Sequence, residues 1–257
     1  IYRERADEEE DIFVTNEEAM LLKDKSAMLI VVDVNVPAMT ECPELLKSIS
    51  TIVVLDHHRQ SNETIKNAVV SYVEPYASST CEMVAEILQY IVDKPKLKNI
   101  EADAMYSGIL VDTDNFVIKA GVRTFEAAAY LRRAGADVTR VRKMFREDME
   151  HCRIRTAIIN KAEIYMDEFA ISTFDGENVS GATVVGAKAA NALLNIQGIR
   201  GSFVLTALQD CIYVSARSID ELNVQVIMEK FGGGGHLTMA AAQLKDVSLS
   251  DAAEMLK

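Results

Sequence analysis

The segment Thr51-Ile52-Val53-Val54-Leu55-Asp56-His57-His58 joins an apolar run directly to one carboxylate and two imidazoles. A continuous run of aliphatic and β-branched residues of this length is typical of a strand that is buried on both faces of a parallel sheet. The run at residues 27–33 (AMLIVVD) has the same form and also ends in a carboxylate. Two adjacent histidines at a strand end have little structural use, so segment 51–58 also indicates a functional site.

Helical patterns alternate with these apolar runs through residues 1–150. Ser79 and Glu82 have the spacing of a capping box, in which the hydroxyl binds a helix amide and the carboxylate reaches back to the cap. The pattern predicts helices at about 79–91, 101–111 and 124–135, and a further helix capped by Asp137. Alternating strands and helices predict an α/β domain with a parallel sheet over this part of the chain.

A second α/β pattern occupies the rest of the chain. Residues 151–167 are predicted to form a connecting helix, and residues 168–257 a smaller α/β domain with a mixed sheet. The expected strands cover 168–174, 202–208 and 211–218, with a tight turn at Gln209-Asp210 between the last two. The expected helices cover 183–195, 223–231 and 248–256.

The composition and charge of the chain argue against three classes of function: binding along a long nucleic acid, spanning a membrane and holding zinc through cysteines. The chain of 257 residues carries a net charge of −12, whereas a protein that follows a long polyanion usually has a basic stripe. The arginines and lysine between 132 and 146 form one basic cluster, interpreted as a solvated helix face. No apolar run reaches the roughly 18 residues of a membrane span. The four cysteines form no CxxC pair, which argues against a zinc site.

Acidic side chains follow three apolar runs. Asp33 and Asp56 end the first two, and Asp112 follows Ile109-Leu110-Val111. Reactive groups in open parallel sheets gather at the carboxyl ends of strands. Carboxylates and an imidazole that converge there suit Mn²⁺, Mg²⁺ or Fe²⁺. The alternative is that each acid only caps a helix or forms a turn.

Four successive glycines precede His236 in the segment Phe231-Gly232-Gly233-Gly234-Gly235-His236. Each glycine costs a regular element roughly 0.5–1 kcal/mol relative to alanine, so something must compensate. Close approach to a ligand, with exposed amides forming an anion-binding nest, is one compensation, and a flexible turn is the alternative. Arg217, at the end of a predicted strand, is a second candidate anion contact, although arginine is common at strand ends.

The motifs above resemble those of the DHH phosphoesterase superfamily. The resemblance rests on Asp56-His57-His58, on the helix start at 78–80, on 108–113 (GILVDT) and on 232–236 (GGGGH), which resembles the DHH-associated C-terminal domain. The segments 73–80 (VEPYASST), 215–218 (SARS) and 223–229 (NVQVIME) are most similar to GdpP-type cyclic-di-AMP phosphodiesterases. The resemblance extends over nearly the whole chain.

The resemblance implies roles for individual residues. Asp33, His57 and Asp112 would bind two divalent cations, Mn²⁺ ahead of Mg²⁺ or Fe²⁺, with Asp33 bridging them. His58 would lie at the scissile phosphate or leaving group, and Asp56 would orient its neighbours. The residues that the resemblance places at the substrate are Ser79, Arg217, Gly233, Gly234, Gly235 and His236.

The function implied is hydrolysis of cyclic di-AMP to linear pApA by metal-activated hydroxide, in a cleft between the two domains. The partner is then a small nucleotide rather than long nucleic acid, and a homodimer is allowed. The protein would lie on the cytoplasmic side, with any membrane anchor in segments outside this chain. The alternatives are a nano-RNase or RecJ-like exonuclease on short oligonucleotides, and a catalytically inactive nucleotide-binding module.

The sequence departs from the family pattern at two places. A histidine followed by two spaced acids, which opens the family's metal site, is absent from residues 1–26, so the DHH domain is expected to be incomplete at its N-terminal end. The chain begins with Ile1, which suggests a piece of a longer protein. Asn35 stands where the similar phosphodiesterases have histidine, and this puts substrate handling in doubt rather than the metal role of Asp33.

Overall fold

The structure is a computed structural model that describes residues 13–24, 26–60, 63–91, 96–219 and 222–257. The chain divides into two compact units, residues 1–146 and 147–257, which are considered separately below. The predicted α/β class is confirmed in both units. No helix among the described residues is both long enough and apolar enough to cross a membrane.

The first unit places a three-stranded parallel sheet beside a group of helices. Its elements are α1 (Asn16–Leu22), β1 (Met28–Val32), α2 (Pro43–Ser48), β2 (Thr51–Asp56), β3 (Val70–Val73), α3 (Thr80–Tyr90), α4 (Asn99–Asp112), α5 (Val122–Arg133) and α6 (Val138–Met144).

The sheet of the first unit has the order β1-β2-β3. Val32 lies opposite Leu55 in β2, and Asp33 extends the pairing by donating its amide to the Leu55 carbonyl at 3.0 Å. The ends of β1 and β2 are therefore level with each other. Ile52 and Val54 are almost completely buried, as expected for a central parallel strand.

Helices α3 to α6 share a second core, built mainly from small and aliphatic side chains. It includes Ala85, Ile109, Ala127, Leu131 and Val141. Gly135 ends the helical segment in the left-handed conformation predicted for it, with φ +115°. Asp137 caps α6 by accepting from the Arg140 amide, which confirms the predicted cap.

The second unit is built around a six-stranded mixed sheet of order β4-β5-β6-β7-β9-β8, in which β5 and β6 are parallel. Its elements are α7 (Met149–Asn160), β4 (Glu163–Tyr165), β5 (Phe169–Asp175), α8 (Ala182–Leu194), β6 (Gly201–Leu208), β7 (Cys211–Ser218), α9 (Val224–Lys230), β8 (Gly234–Gly235), β9 (Met239–Lys245) and α10 (Leu249–Met255).

Both faces of this sheet carry helices because its strands alternate two apolar sets. Phe203 and Leu205 of β6 face the core that includes α9 and α10, whereas Val204 faces the core that includes α7 and α8. The predicted hairpin between β6 and β7 is confirmed, and Gln209 in its turn has φ +54°.

The connecting helix predicted at 151–167 is wrong in its extent. Helix α7 ends at Asn160, and residues 163–165 form the edge strand β4, paired antiparallel with β5. Its buried Ile158 packs in the core of the second unit. The helix therefore belongs to the second unit, because its apolar stripe is buried against β5 and α8.

Candidate functional site

The carboxyl ends of β1 and β2 bring Asp33 and His57 together, as the sequence predicts. The His57 Nε2 atom lies 3.6 Å from the Asp33 Oδ1 atom. The His57 side chain is only 7% exposed, whereas that of Asp33 is 59% exposed. The His57 Nδ1 atom is 3.4 Å from the carbonyl oxygen of Ala77, so this nitrogen is the one that can donate and Nε2 faces the carboxylates.

Asp112 approaches the same histidine from a helix, which the pattern at residues 101–111 predicts. It is the last residue of helix α4, not the end of a strand, and its Oδ2 atom lies 3.9 Å from His57 Nε2. A carboxylate at a helix C-terminus faces the negative end of the helix dipole. Its position there is unfavourable unless a positive charge is bound nearby.

The spacing between His57 and each of the two carboxylates fits a shared cation. Two ligands of one Mg²⁺-sized ion, each about 2.0–2.1 Å from it, lie at most about 4.2 Å apart. Both distances from His57 Nε2 fall within that limit. Ligand atoms of Asp33, His57 and His58 also lie within 4.8 Å of one another, the only such group of His, Cys, Asp or Glu found among the described residues.

Asp56 is completely buried and organises the far side of the group. It accepts from the His58 amide at 3.1 Å and lies 2.7 Å from the His58 Nδ1 atom. Its other oxygen accepts from the Asn35 side-chain amide. Asp56 thus fixes His58, so that chemistry at this ring goes through Nε2, and it does not contact His57 as an orienting acceptor would.

Asn35 fills a buried position beside this pair. Its Nδ2 atom donates to Asp56 and, at 3.5 Å, to the His58 carbonyl. Its Oδ1 atom is buried and has no hydrogen-bond partner among the described residues. The Asn35 amide therefore supports Asp56 through its Nδ2 atom.

Thr80 is a site residue that the sequence pattern did not single out. Its Oγ1 atom donates to Asp33 Oδ1 at 2.9 Å from the first position of α3. The predicted substrate residue Ser79 is instead fully buried and caps α3 by accepting from the Glu82 amide. The signal for Thr80 was its position in the helix start at 78–80, but only the fold shows which hydroxyl meets Asp33.

The buried Glu82 carboxylate stabilises this helix start through hydrogen bonds. It is 1% exposed and accepts from the hydroxyls of Ser78 at 2.5 Å and Thr124 at 2.6 Å. The predicted capping box is confirmed for the Ser79 hydroxyl. It is wrong for the Glu82 carboxylate, which accepts from Ser78 instead of from the Ser79 amide. These hydrogen bonds join α3 to α5 close to Thr80, the residue that contacts Asp33.

The group has a negative electrostatic character. The pKa of the Asp112 carboxyl is raised above its usual value. Burial is the largest cause, and the Asp33 carboxylate adds to it, whereas the nearby His57 acts in the opposite direction. Cys81, one residue after Thr80, has its pKa raised to about 12 by burial and then by Asp112 and Asp33. Two carboxylates held close together around an imidazole form a site for a cation.

The second unit carries Arg217 on strand β7 and His236 directly after the edge strand β8. Arg217 lies on β7, where its Nε atom donates to the Asn191 side chain of α8 at 2.6 Å and its Nη1 atom to the Ala216 carbonyl. His236 begins the turn between β8 and β9, and its amide donates to the Met239 carbonyl at 2.7 Å. A cavity of about 620 Å³ in this unit is lined in part by Tyr213, Ser215, Gly232, Gly233 and Gln243.

Two amides of the glycine segment, those of Gly232 and Gly233, donate within the protein and are not available to the predicted anion-binding nest. The amides of Gly232 and Gly233 donate to carbonyls at the end of α9, and Gly234 and Gly235 pair with β9. A Cβ atom on Gly233 would lie 2.1 Å from the Ala241 carbonyl oxygen. The close backbone approach that glycine permits is therefore made to the neighbouring strand of the protein itself.

Comparison with known proteins identifies both halves of the chain. Residues 3–109 match the DHH family, N-terminal domain, and residues 169–257 match the DHHA1 domain. The chain is 46% identical over 90% of its length to the cyclic-di-AMP phosphodiesterase PdeA of Listeria monocytogenes, covering 35% of that protein. It is 41% identical over 95% of its length to the cyclic-di-AMP phosphodiesterase GdpP of Bacillus subtilis, covering 38% of that protein.

The chain thus spans little more than a third of the length of these curated relatives. Among solved structures, an exopolyphosphatase-related protein from Bacteroides fragilis superposes with a TM-score of 0.77 at 18% identity. The match covers 93% of this chain and 72% of that one, and it supports the fold alone.

Proposed function

The chain joins a DHH family N-terminal domain to a DHHA1 domain, and from this premise we propose that it hydrolyses cyclic di-AMP to linear pApA. The observation that carries the proposal is the approach of the Asp33 and Asp112 carboxylates to the His57 Nε2 atom, at 3.6 and 3.9 Å. The substrate is taken from the relatives with 41–46% identity, which are named as cyclic-di-AMP phosphodiesterases.

The residues present fit a divalent cation. Asp33, His57 and Asp112 would hold it, and the His58 ring lies close enough to join them. A bound divalent cation supplies Lewis-acid chemistry, which lowers the pKa of water and offsets the charge of a phosphodiester. The family resemblance implies a second cation, which would need more donor atoms than the described residues bring to this point. The number of Mn²⁺ ions bound per chain therefore decides whether a second cation is present.

The side chains around the cation site have separate tasks in this proposal. Thr80 fixes the Asp33 carboxylate, and the Ala77 carbonyl fixes the tautomer of His57. His58 is held through Nδ1 by Asp56, and its side chain is 42% exposed, so it can meet a substrate. We assign His58 to the scissile phosphate or to the leaving oxygen, which requires a proton when the ester bond breaks.

The second unit is proposed to bind the nucleotide away from the bond that breaks. Arg217 and His236 are the candidate contacts, since a guanidinium and an imidazole both donate to phosphate oxygens. The Gly232 and Gly233 amides donate within the protein, so Arg217 and His236, together with Gly234 and Gly235 on the edge strand, carry the proposed anion contacts.

The test is hydrolysis by the metal-stripped chain of 257 residues after addition of Mn²⁺ or Mg²⁺. Cyclic di-AMP and short linear oligoadenylates are offered in parallel, and products are separated by chromatography. The proposal expects pApA from the cyclic substrate and no product with a chelator present. Turnover of the linear RNAs alone would show an exonuclease instead.

Substitutions separate catalysis from binding. His57→Ala is expected to abolish hydrolysis with the fold intact, whereas His236→Ala is expected to raise KM by about 5- to 150-fold, for a charge-assisted contact of about 1–3 kcal/mol. His151→Ala is the matched control, because the half-buried His151 ring at the start of α7 is engaged by Asp148 and the Ser180 carbonyl within the second unit. Calorimetric titration with Mn²⁺ gives the number of cations, and the absence of any binding would leave an inactive nucleotide-binding module.

A further inference from the structure

We propose that Tyr76 is a stacking platform for a nucleobase of the substrate at the cation site. This inference rests on the proposed function, since it assumes a nucleotide whose phosphate lies at His57. It adds a substrate contact in the first unit to those already assigned. The proposal starts from an aromatic side chain that is 93% exposed and lies one residue from the site.

The backbone that carries Tyr76 is firmly held. The Glu74 amide donates to the Asp56 carbonyl at 2.9 Å, and the Ala77 amide donates to the Glu74 carbonyl at 3.0 Å. The Tyr76 amide itself donates to the Glu74 carboxylate at 3.2 Å. The next four residues, 77–80, are all buried. An exposed ring thus stands on a turn with little freedom to move.

The turn places Tyr76 beside the candidate ligands. The carbonyl of Ala77, the next residue, lies 3.4 Å from His57 Nδ1, and Thr80 of the same segment contacts Asp33. Successive Cα atoms are about 3.8 Å apart, so Tyr76 begins within one residue of the shell that fixes His57. The proposal places the nucleoside of a phosphate bound at the cation site against this position.

Exposure alone would not support a role, because single apolar side chains are common on protein surfaces. Tyr90 shows this: it is 86% exposed at the end of α3, about 15 Å along the helix from Thr80. What distinguishes Tyr76 is the rigid turn and its position at the site. Aromatic rings on which bases stack are the common means of holding nucleotides without reading their sequence.

The chain contains no tryptophan, so a tryptophan introduced at one position is the only indole fluorophore in that variant. Tyr76→Trp and Tyr90→Trp keep an aromatic surface and add a fluorophore. Cyclic di-AMP and adenosine 5′-monophosphate are titrated into each variant under two conditions. In the first a chelator keeps the protein catalytically silent, and in the second Mn²⁺ is present. Ribose 5-phosphate is the base-free control. We expect the adenine ligands to quench Tyr76→Trp and to leave Tyr90→Trp unchanged, with no effect of ribose 5-phosphate on either.

Kinetics give the second readout. Tyr76→Ala is expected to raise KM for cyclic di-AMP by about 5- to 150-fold with kcat little changed, the range for loss of one stacked base. Tyr76→Phe is expected to behave as the wild type because it keeps the ring. Tyr90→Ala is the matched control and is expected to change neither constant.

The outcomes separate this inference from the function on which it rests. Hydrolysis of cyclic di-AMP with no quenching of Tyr76→Trp would overturn the role of Tyr76 and keep the enzyme. Quenching by adenine ligands without hydrolysis would keep Tyr76 and overturn the proposed reaction. A Tyr76→Phe variant as weak as Tyr76→Ala would show a contact through the hydroxyl and overturn stacking.

Discussion

Replacing Thr80 with valine should weaken cation binding without weakening the fold. Valine keeps the shape of threonine but removes the hydroxyl that donates to Asp33 Oδ1 at 2.9 Å. Thr80 is 5% exposed at the first position of α3, where its side chain packs but the hydroxyl is not a cap. The substitution therefore removes one contact to a candidate ligand and little else.

The magnitude follows from the type of hydrogen bond and its exposure. A bond to a charged group is worth about 1.5–3 kcal/mol, but the Asp33 side chain is 59% exposed, so water replaces part of the loss. We take about 1–2 kcal/mol, which corresponds to a 5- to 30-fold weaker binding constant for Mn²⁺. Loss of a partner that orients a metal ligand commonly costs about 10- to 100-fold, which overlaps this range.

The measurement is calorimetric titration of the metal-stripped chain with Mn²⁺ at fixed pH. Thr80→Ser keeps the hydroxyl and should bind as the wild type does. Thr156→Val is the matched control, because its hydroxyl donates only to the Cys152 carbonyl within α7. Mn²⁺ affinity of Thr80→Val within twofold of the wild type, or an equal loss in Thr80→Ser, would refute the reasoning.

Three further perturbations test the surroundings of the site. Glu82→Ala leaves two buried hydroxyls without their acceptor and should lower the free energy of opening of α3 by about 3 kcal/mol, seen as faster amide exchange. Gly233→Ala should destabilise the second unit by about 1–3 kcal/mol in calorimetry, because its Cβ meets backbone, whereas Gly234→Ala has open space and should be neutral. Mn²⁺ at 100 times its Kd should stabilise the first unit by about 2.7 kcal/mol and leave amide exchange in β7 unchanged.

Five of the nine strands in the described residues and most of the helices could be predicted because their signals are local. The apolar runs that became β1 and β2 and the hairpin turn at Gln209 are defined by a few neighbouring residues. The extent of α7 was missed because the pattern of residues 161–167 is short and polar, and only pairing with β5 makes it a strand. Edge strands depend on their partner more than on their own sequence.

The site could be predicted only as far as its residue types. Asp112 was grouped with the strand ends because it follows an apolar run, although the helix predicted at 101–111 ends directly before it, and the structure makes it the last residue of that helix. The glycine segment needed a close neighbour, but sequence does not show whether that neighbour is a ligand or the strand β9. Thr80 was missed for the same reason, since its partner Asp33 lies 47 positions away.

Several unfavourable local features coincide where the cation is proposed to bind. Asp33 has φ +64°, a conformation that costs a non-glycine residue about 1–2 kcal/mol, although aspartate tolerates it better than most. Asp112 places a carboxylate at a helix C-terminus, at about 0.3–1 kcal/mol, and the two carboxylates flank one buried imidazole. One positive charge bound between them would offset the last two costs together. Natural sequences violate local preferences at functional sites more than elsewhere, so this coincidence supports a cation site more strongly than the presence of Asp56-His57-His58 alone.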